Sequence, residues 1–165
     1  MHLLWEIYMN KRQLGKTNIN LNAIGFGGAP LGDLFENLEE PNCFQVLEKC
    51  YEANINLYDT SPLYGYGLSE HRLGNFLKTV DEDSYYLSTK VGRYLTPEQE
   101  SKIDRGRFAG GLNFTPHLDY SYDGVMRSFE QSLIRLAVSK VDICLIHDVD
   151  KFTHGNEVDH YFKLA

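Results

Sequence analysis

Short apolar runs alternate with amphipathic segments along this chain of 165 residues, and that alternation limits the possible folds more than any other feature. The apolar runs are predicted to be strands, and they cover residues 23–27, 55–60, 85–92 and 141–148. Each of these runs is too short for a typical helix. Strands that alternate with helices predict a parallel sheet built from right-handed βαβ units.

Segments with apolar residues at helical spacing separate the predicted strands. The predicted helices cover residues 41–54, 69–80, 122–138 and 156–165. A short hairpin is predicted over residues 12–20, ahead of a first buried strand, and residues 96–121 are predicted as a long loop because they lack a clear period. The length fits one domain that spans residues 1–165.

A parallel sheet of this kind can be an open, doubly wound sheet or a closed barrel. The charged and polar residues at the strand ends help to distinguish these two architectures. Asp59, Lys90 and His147 each lie at the C-terminal end of a different predicted strand. Three inward polar ends that converge on one mouth favour a barrel. A complete barrel of eight units needs about 250 residues. Only four units can be counted, so the sequence predicts half a barrel whose C-terminal half is absent.

Composition excludes several classes of protein. The net charge is −7 and no cluster of Lys and Arg occurs, which argues against a nucleic-acid partner. Cys43, Cys50 and Cys144 form no C-x-x-C pair, so reduced cysteines in a cytoplasmic protein are predicted. The apolar start of the chain is interrupted by Glu6, and no small-residue cleavage site follows. It is therefore predicted to be neither a signal peptide nor a membrane span.

Four residue types in this chain suit proton transfer at an oxygen atom. A free phenol has a pKa of about 10, and a neighbouring ammonium group favours its phenolate form. A carboxylate behind the ammonium group keeps it charged and in place, and an imidazole can orient a carbonyl oxygen. The candidates for these roles are Asp59, Tyr64, Lys90 and His147. Such a set protonates or deprotonates an oxygen while another group moves a hydride.

The motifs that contain these residues resemble those of the aldo-keto reductases. They are "IGFGGAPLG", "YDTSPLYGYGLSE", "LSTKVGR" and "LIHD", and the resemblance runs from about Arg12 to the end of the chain. It implies a (β/α)8 TIM barrel, of which this chain holds about the first four βα units after a short N-terminal hairpin. It also implies reversible, NAD- or NADP-dependent hydride transfer between an alcohol and a carbonyl compound.

Matched position by position, the resemblance implies a role for each candidate. Tyr64 would be the general acid/base, Lys90 would favour its phenolate form, Asp59 would pair with Lys90, and His147 would orient the substrate oxygen. The segments "YSYDGVMRSFEQSLIRL" and "IHDVD" are further similar to the branch that includes D-threo-aldose and L-fucose dehydrogenases and pyridoxal 4-dehydrogenase. The implied substrate is therefore a sugar or a small aldehyde.

The resemblance implies only a small part of the cofactor site in this chain. Gly27, Gly28 and Asp59 would contribute cofactor contacts, while the later strands of the family supply the remaining ones. The glycines near the first strand do not form a dinucleotide fingerprint, because Pro30 occupies the place of the third glycine.

Two other functions remain open at this point. The chain could be a truncated, inactive remnant that pairs with another chain, and exposed sheet edges predict self-association in any case. It could also be a metal-dependent hydrolase that uses residues near the C-terminus. The conceivable ligands are His147, Asp148, Asp150, His154 and His160. Their spacing is irregular and fits no zinc pattern, so no metal site is predicted.

Overall fold

The computed structural model describes residues 11–165, and the prediction for the apolar N-terminal segment falls on residues 1–10, outside this range. The strands are β1 (Arg12–Gln13), β2 (Asn20–Leu21), β3 (Phe26–Gly27), β4 (Leu57–Asp59), β5 (Tyr86–Val91), β6 (Arg93–Pro97), β7 (Phe114–Leu118) and β8 (Ile143–Ile146). The helices are α1 (Glu40–Glu52), α2 (Leu68–Leu77), α3 (Tyr122–Leu136), α4 (Lys151–His154) and α5 (Val158–Leu164).

A four-stranded parallel sheet organises the described part of the chain. Its strands lie in the order β3-β4-β5-β8, and each pairs in parallel with the next. Helices α1 and α2 contact each other, as do α2 and α3, so the helices follow one another in chain order beside the sheet. A doubly wound sheet reverses its strand order at a switch point, whereas a barrel adds strands in sequence. The predicted barrel-type architecture is confirmed.

The hydrophobic core lies between this sheet and the helices. Tyr58 of β4 is fully buried, and its ring lies 6.1 Å from that of Phe76 in α2, centroid to centroid. Leu73, Phe76 and Leu77 of α2 are all buried, as their helical spacing predicts. Helix α3 instead turns small residues inward, because Gly124, Ser128 and Ser132 are buried together with Leu136.

A buried ion pair joins α2, α3 and the sheet. The side chain of Glu70 is fully buried, and one of its oxygens accepts a hydrogen bond from Nε of Arg135 at 2.6 Å. Its other oxygen accepts a hydrogen bond from the hydroxyl of Thr89 in β5 at 2.8 Å. Both carboxylate oxygens thus have partners, which a buried charge requires.

Strands β1, β2 and β3 occur where strands were predicted, but their lengths differ from the prediction. Strands β1 and β2 form the predicted hairpin. The first parallel strand has only two residues, and Phe26 is half-buried while Gly27 is exposed. The prediction of a buried strand over residues 23–27 is wrong because, within residues 11–165, β3 pairs only with β4 and lies at the edge of the sheet.

The predicted loop over residues 96–121 is wrong where it overlaps strands β6 and β7, while residues 98–113 connect the two strands. Strands β6 and β7 form an antiparallel hairpin in which Tyr94 faces His117. The two rings stack with centroids 5.1 Å apart, and the guanidinium carbon of Arg127 lies 4.1 Å from the centroid of Tyr94. Aromatic and polar side chains pair across this hairpin, so its strands lack the apolar alternation that would have revealed them.

The last strand lies at the other edge of the sheet. Leu145 and Ile146 of β8 are 45% and 48% exposed, so this apolar strand is only partly covered. The predicted helix over residues 156–165 is confirmed with shorter bounds, Val158–Leu164. No helix within residues 11–165 combines the length and the apolar character that crossing a bilayer requires.

Candidate active site

The carboxyl ends of β4 and β5 place two oppositely charged side chains in contact. Side chains alternate between the faces of a strand, so Ser88 and Lys90 point to the same face of β5. The ammonium group of Lys90 lies 2.6 Å from Oδ2 of Asp59 and donates a further hydrogen bond to the carbonyl of Thr60 at 2.9 Å. The hydroxyl of Ser88 donates to Oδ1 of Asp59 at 2.8 Å. The carboxylate is therefore held at both oxygens.

Tyr64 lies on the turn that follows β4, beside this ion pair. The ammonium nitrogen of Lys90 is 4.8 Å from the centroid of the Tyr64 ring. The ring also meets His147 edge-on, with centroids 6.0 Å apart and an interplanar angle of 88°. Within residues 11–165, no side chain or backbone group hydrogen-bonds to the phenol oxygen, so that oxygen remains free to contact another molecule. All four predicted site residues thus lie together.

The backbone of the Tyr64 turn is fixed by two other loops. Gly65 has a φ of 61°, and a Cβ on it would lie 2.5 Å from the carbonyl oxygen of Gly32. Only glycine permits such a close approach of two backbones. The carbonyl of Gly65 also accepts a hydrogen bond from the N–H of Leu112 at 2.9 Å. The loop after β3 and the loop between β6 and β7 therefore both hold this turn.

His147 follows β8 and is buried within the site. Its N–H donates to the carbonyl of Val91 at 3.0 Å, and its carbonyl accepts from the hydroxyl of Tyr120 at 2.7 Å. Its Nδ1 lies 3.1 Å from the hydroxyl oxygen of Ser61. Burial lowers the pKa of His147 to about 4. The ring is therefore neutral at pH 7 and can act there as a hydrogen-bond donor or acceptor.

The lowered pKa of His147 predicts a loss of stability in acid. Between the usual histidine pKa of about 6.5 and the folded value of about 4, the unfolded chain binds this proton and the folded chain does not. The contribution of His147 to stability is thus fully present above pH 6.5 and falls by about 1.4 kcal/mol per pH unit below it. Urea denaturation at pH 7 and pH 5 measures this loss. His147→Gln should remove that part of the pH dependence, and an unchanged slope in the variant would contradict the assignment.

An ion pair that the sequence analysis missed lies on the other side of His147. Nη2 of Arg93 donates to Oδ2 of Asp148 at 2.9 Å, and the same oxygen lies 3.5 Å from Nε2 of His147. Ser61 and Ser88 were missed as well. Their only sequence signal is position, since Ser61 follows Asp59 by two residues and Ser88 precedes Lys90 by two.

The two glycines predicted to contact the cofactor, Gly27 and Gly28, have different surroundings in the structure. A Cβ on Gly28 would lie 2.7 Å from the carbonyl oxygen of Asp59 and 2.9 Å from the hydroxyl of Ser69, so packing alone accounts for this glycine. A Cβ on Gly27 would meet nothing within 4 Å, which leaves open space above the sheet edge. Gly27 pairs with Asp59 across the two strands, so this open space adjoins the charged pair of Asp59 and Lys90. The cofactor roles of all three residues remain predictions.

The histidine-rich tail does not form a metal-binding cluster in the described chain. Across residues 11–165, no group of three or more His, Cys, Asp or Glu side chains is arranged to hold a metal ion. His154 instead stacks on Tyr161 with ring centroids 4.1 Å apart, and its Nε2 lies 3.1 Å from the hydroxyl of Tyr120. These contacts place His154 in an aromatic cluster behind the site.

Comparison with known protein families gives one family match. The profile of the Aldo/keto reductase family matches residues 23–163. Pyridoxal 4-dehydrogenase from Microbacterium luteolum is 38% identical over 93% of this chain and 47% of its own length. D-threo-aldose 1-dehydrogenase from Pseudomonas sp. is 38% identical over 82% of this chain and 42% of its own length. The chain thus spans about half the length of the curated relatives it matches.

Solved structures show the same fold. An aldo-keto reductase from Bacillus halodurans in its holo form superposes with a TM-score of 0.65 at 26% identity, over 94% of this chain and 46% of the other. The glycerol dehydrogenase from Gluconobacter oxydans superposes with a TM-score of 0.64 at 21% identity, over the same fractions.

Proposed function

Because the chain belongs to the aldo/keto reductase family, we propose that it forms the N-terminal part of an NAD- or NADP-dependent oxidoreductase that interconverts an alcohol and its carbonyl form. One observation carries the proposal. The phenol oxygen of Tyr64 is free within the described chain, while a lysine and a neutral histidine flank its ring. This arrangement suits proton exchange with a substrate oxygen.

Each residue of the cluster has a separate task in this proposal. When bound, the nicotinamide cofactor supplies or accepts the hydride. The phenol of Tyr64 gives a proton to the substrate oxygen during reduction and removes it during oxidation. The ammonium group of Lys90 stabilises negative charge on the phenol oxygen, and Asp59 holds the ammonium group 2.6 Å away. Neutral His147 donates a hydrogen bond that orients the substrate oxygen.

The relatives support a proposal for the substrate class, and the free thiols support one for the location of the protein. Two relatives are named for an aldose and for pyridoxal, so a sugar or a small aldehyde is the proposed substrate. Cys43, Cys50 and Cys144 all carry free thiols, which supports a cytoplasmic location. Gly27 and Asp59 are proposed to face the nicotinamide ring. Nucleic acid and membranes are not proposed as partners.

A chimeric barrel tests the function. Residues 1–165 are joined to the C-terminal half of the Microbacterium luteolum relative, and the oxidation of aldoses is followed by nicotinamide absorbance. The proposal expects turnover with NAD or NADP that depends on Tyr64. If the chimera folds and binds the cofactor but oxidises no aldose and reduces no aldehyde, the proposal is wrong.

The chain alone is expected to show no measurable NAD- or NADP-linked turnover. Dinucleotide binding in the family depends on later strands, and without them a hydride donor and acceptor are not held together. Titration of nicotinamide fluorescence and an absorbance assay at saturating sugar measure both steps. Micromolar binding with turnover that Tyr64→Phe abolishes would show instead that these four units suffice.

A second candidate function is an inactive remnant of such an enzyme. The coverage of 47% and 42% of the two relatives is compatible with this candidate and equally with a piece of a longer protein. A chimera that restores turnover does not by itself exclude this candidate for the natural chain. Sequencing the transcript that encodes the chain, to learn whether it continues into further barrel strands, distinguishes the two.

Self-association of the isolated chain is expected from its edges. Leu145 and Ile146 of β8 are about half exposed, and Ile134 of α3 is 77% exposed. An open strand edge with apolar side chains favours pairing with another chain. Size-exclusion chromatography with light scattering should show dimers or larger species at micromolar concentration. A stable monomer under these conditions would contradict this expectation.

A further inference from the structure

The hydroxyl of Ser61 has two neighbours in the buried part of the site. Ser61 is fully buried, and its Oγ accepts a hydrogen bond from the N–H of Leu63 at 3.1 Å. The same oxygen lies 3.1 Å from Nδ1 of His147. A hydroxyl has one hydrogen and two lone pairs, and the N–H of Leu63 occupies one lone pair. The hydrogen of Ser61 is then free to point at Nδ1.

The opposite nitrogen of the same ring faces a carboxylate. Nε2 of His147 is 3.5 Å from Oδ2 of Asp148, and that oxygen is held by Nη2 of Arg93 at 2.9 Å. An ionised carboxylate only accepts hydrogen bonds. It therefore favours a proton on the nitrogen that faces it. The two neighbours of the ring agree, since the hydroxyl of Ser61 can donate to Nδ1 and the negative charge of Asp148 attracts a proton on Nε2.

The opposite tautomer would leave both neighbours mismatched. With the proton on Nδ1, the oxygen of Ser61 would accept from both Leu63 and His147, and its own hydrogen would need another acceptor. Among residues 11–165 the hydroxyl of Ser61 has no other partner. The lone pair of Nε2 would also face the carboxylate of Asp148. A buried unpaired hydroxyl and a repelled lone pair both disfavour this tautomer.

We propose that Ser61 is a positioning residue which, together with Asp148, places the single proton of the neutral His147 ring on Nε2. The link to catalysis rests on the proposed function, in which His147 donates to a substrate oxygen. At 3.5 Å the contact from Nε2 to Asp148 is longer than a normal N–H···O hydrogen bond. The Nε2 proton is therefore only loosely held and is available to an oxygen that approaches the cluster.

The surroundings of the ring keep it neutral and fix its orientation. The charged groups that influence it are Asp148, Arg93, Lys90 and Asp59. Two are cationic and two anionic, so their effects oppose each other, and burial is the largest cause of the lowered pKa of His147. The backbone of His147 is bonded on both sides, to Val91 and to Tyr120. A ring flip would break the Ser61 contact.

Nitrogen-15 NMR of the histidine rings tests the proposal on the 165-residue chain. The chain is labelled at histidine, and the His147→Gln variant identifies the signal of His147 among the six histidines. At pH 7 we expect His147 to carry its proton on Nε2, with Nδ1 unprotonated. Ser61→Ala should lower the ratio of the Nε2–H to the Nδ1–H tautomer by about tenfold, since the Nδ1 partner is lost.

A control variant and a second test variant show whether a change in the tautomer ratio comes from the neighbours of His147. Ser132→Ala removes another fully buried serine hydroxyl with no contact to His147, and it should leave the tautomer ratio unchanged. Asp148→Asn should lower the ratio independently of Ser61. A protonated or Nδ1–H ring in the unsubstituted chain overturns the proposal even if Ser61→Ala fails to fold, and so does an unchanged ratio in a folded Ser61→Ala. The measurement uses no cofactor, substrate or turnover, so it can fail while the proposed function stands.

Discussion

Replacing Tyr64 with phenylalanine in the chimeric barrel is expected to lower turnover by a factor of about 10² to 10⁴, the usual contribution of a general acid or base. The substitution removes only the phenol oxygen, so it leaves the ring between Lys90 and His147. Cofactor affinity should therefore stay almost unchanged. Single-turnover absorbance measures the chemical step, and fluorescence titration measures cofactor binding in the same preparation.

The matched control for this substitution is Tyr122→Phe. The side chain of Tyr122 is 79% exposed at the start of α3, so loss of its hydroxyl should change neither turnover nor binding. If Tyr64→Phe kept more than a tenth of the turnover of the unsubstituted chimera, Tyr64 could not be the general acid/base. A variant that lost cofactor binding in parallel would point to a positioning role instead.

Replacing Arg135 with methionine is expected to destabilise the chain by about 3–5 kcal/mol, because it leaves the fully buried carboxylate of Glu70 without its ionic partner. The hydroxyl of Thr89 would remain as the partner of one carboxylate oxygen. Urea denaturation followed by circular dichroism, at submicromolar concentration to limit association, measures the free energy of unfolding.

Two comparisons show whether the loss comes from the buried charge. The double variant Glu70→Leu with Arg135→Met should recover much of the stability, since replacing a buried ion pair by apolar residues is often neutral. Lys49→Met breaks the exposed pair of Lys49 with Glu52 and should cost less than about 1 kcal/mol. Equal losses from Arg135→Met and Lys49→Met would contradict the role assigned to the buried pair.

Sequence periodicity predicts an element most directly when its apolar residues face one core. Helix α2 is the clearest case, because Leu73, Phe76 and Leu77 follow one face and are all buried. The hairpin of β6 and β7 could not be predicted in this way. Its strands pair Tyr94 with His117 and Thr96 with Thr115, and no apolar alternation marks such pairs. Its stability depends on contacts across the hairpin that a linear pattern does not contain.

In the candidate site, too, some residues could be predicted from sequence patterns and others only from contacts in the folded chain. Asp59, Lys90 and His147 could be picked out because polar residues at the ends of apolar strands are conspicuous. Ser61 could not, since a serine after a strand suits any turn and gains meaning only from a nitrogen 86 positions away. Strand order therefore locates the three polar residues that surround Tyr64, whereas Ser61 could be found only from a contact between distant parts of the chain.

The contact between Leu112 and Gly65 also bears on the order in which the molecule folds. The N–H of Leu112 bonds to a carbonyl 47 positions earlier in the chain, and the hydroxyl of Tyr66 bonds to the carbonyl of Asp104. Contacts that close long loops form late, because the entropy of closure precedes any gain from the contact. We therefore expect the turn that carries Tyr64 to acquire its final shape only after the loop between β6 and β7 has packed against it. In pulse-labelling hydrogen exchange, the amide of Leu112 should gain protection after those of β4 and β5, so the pairing of these two strands would precede the final shape of the turn that carries Tyr64.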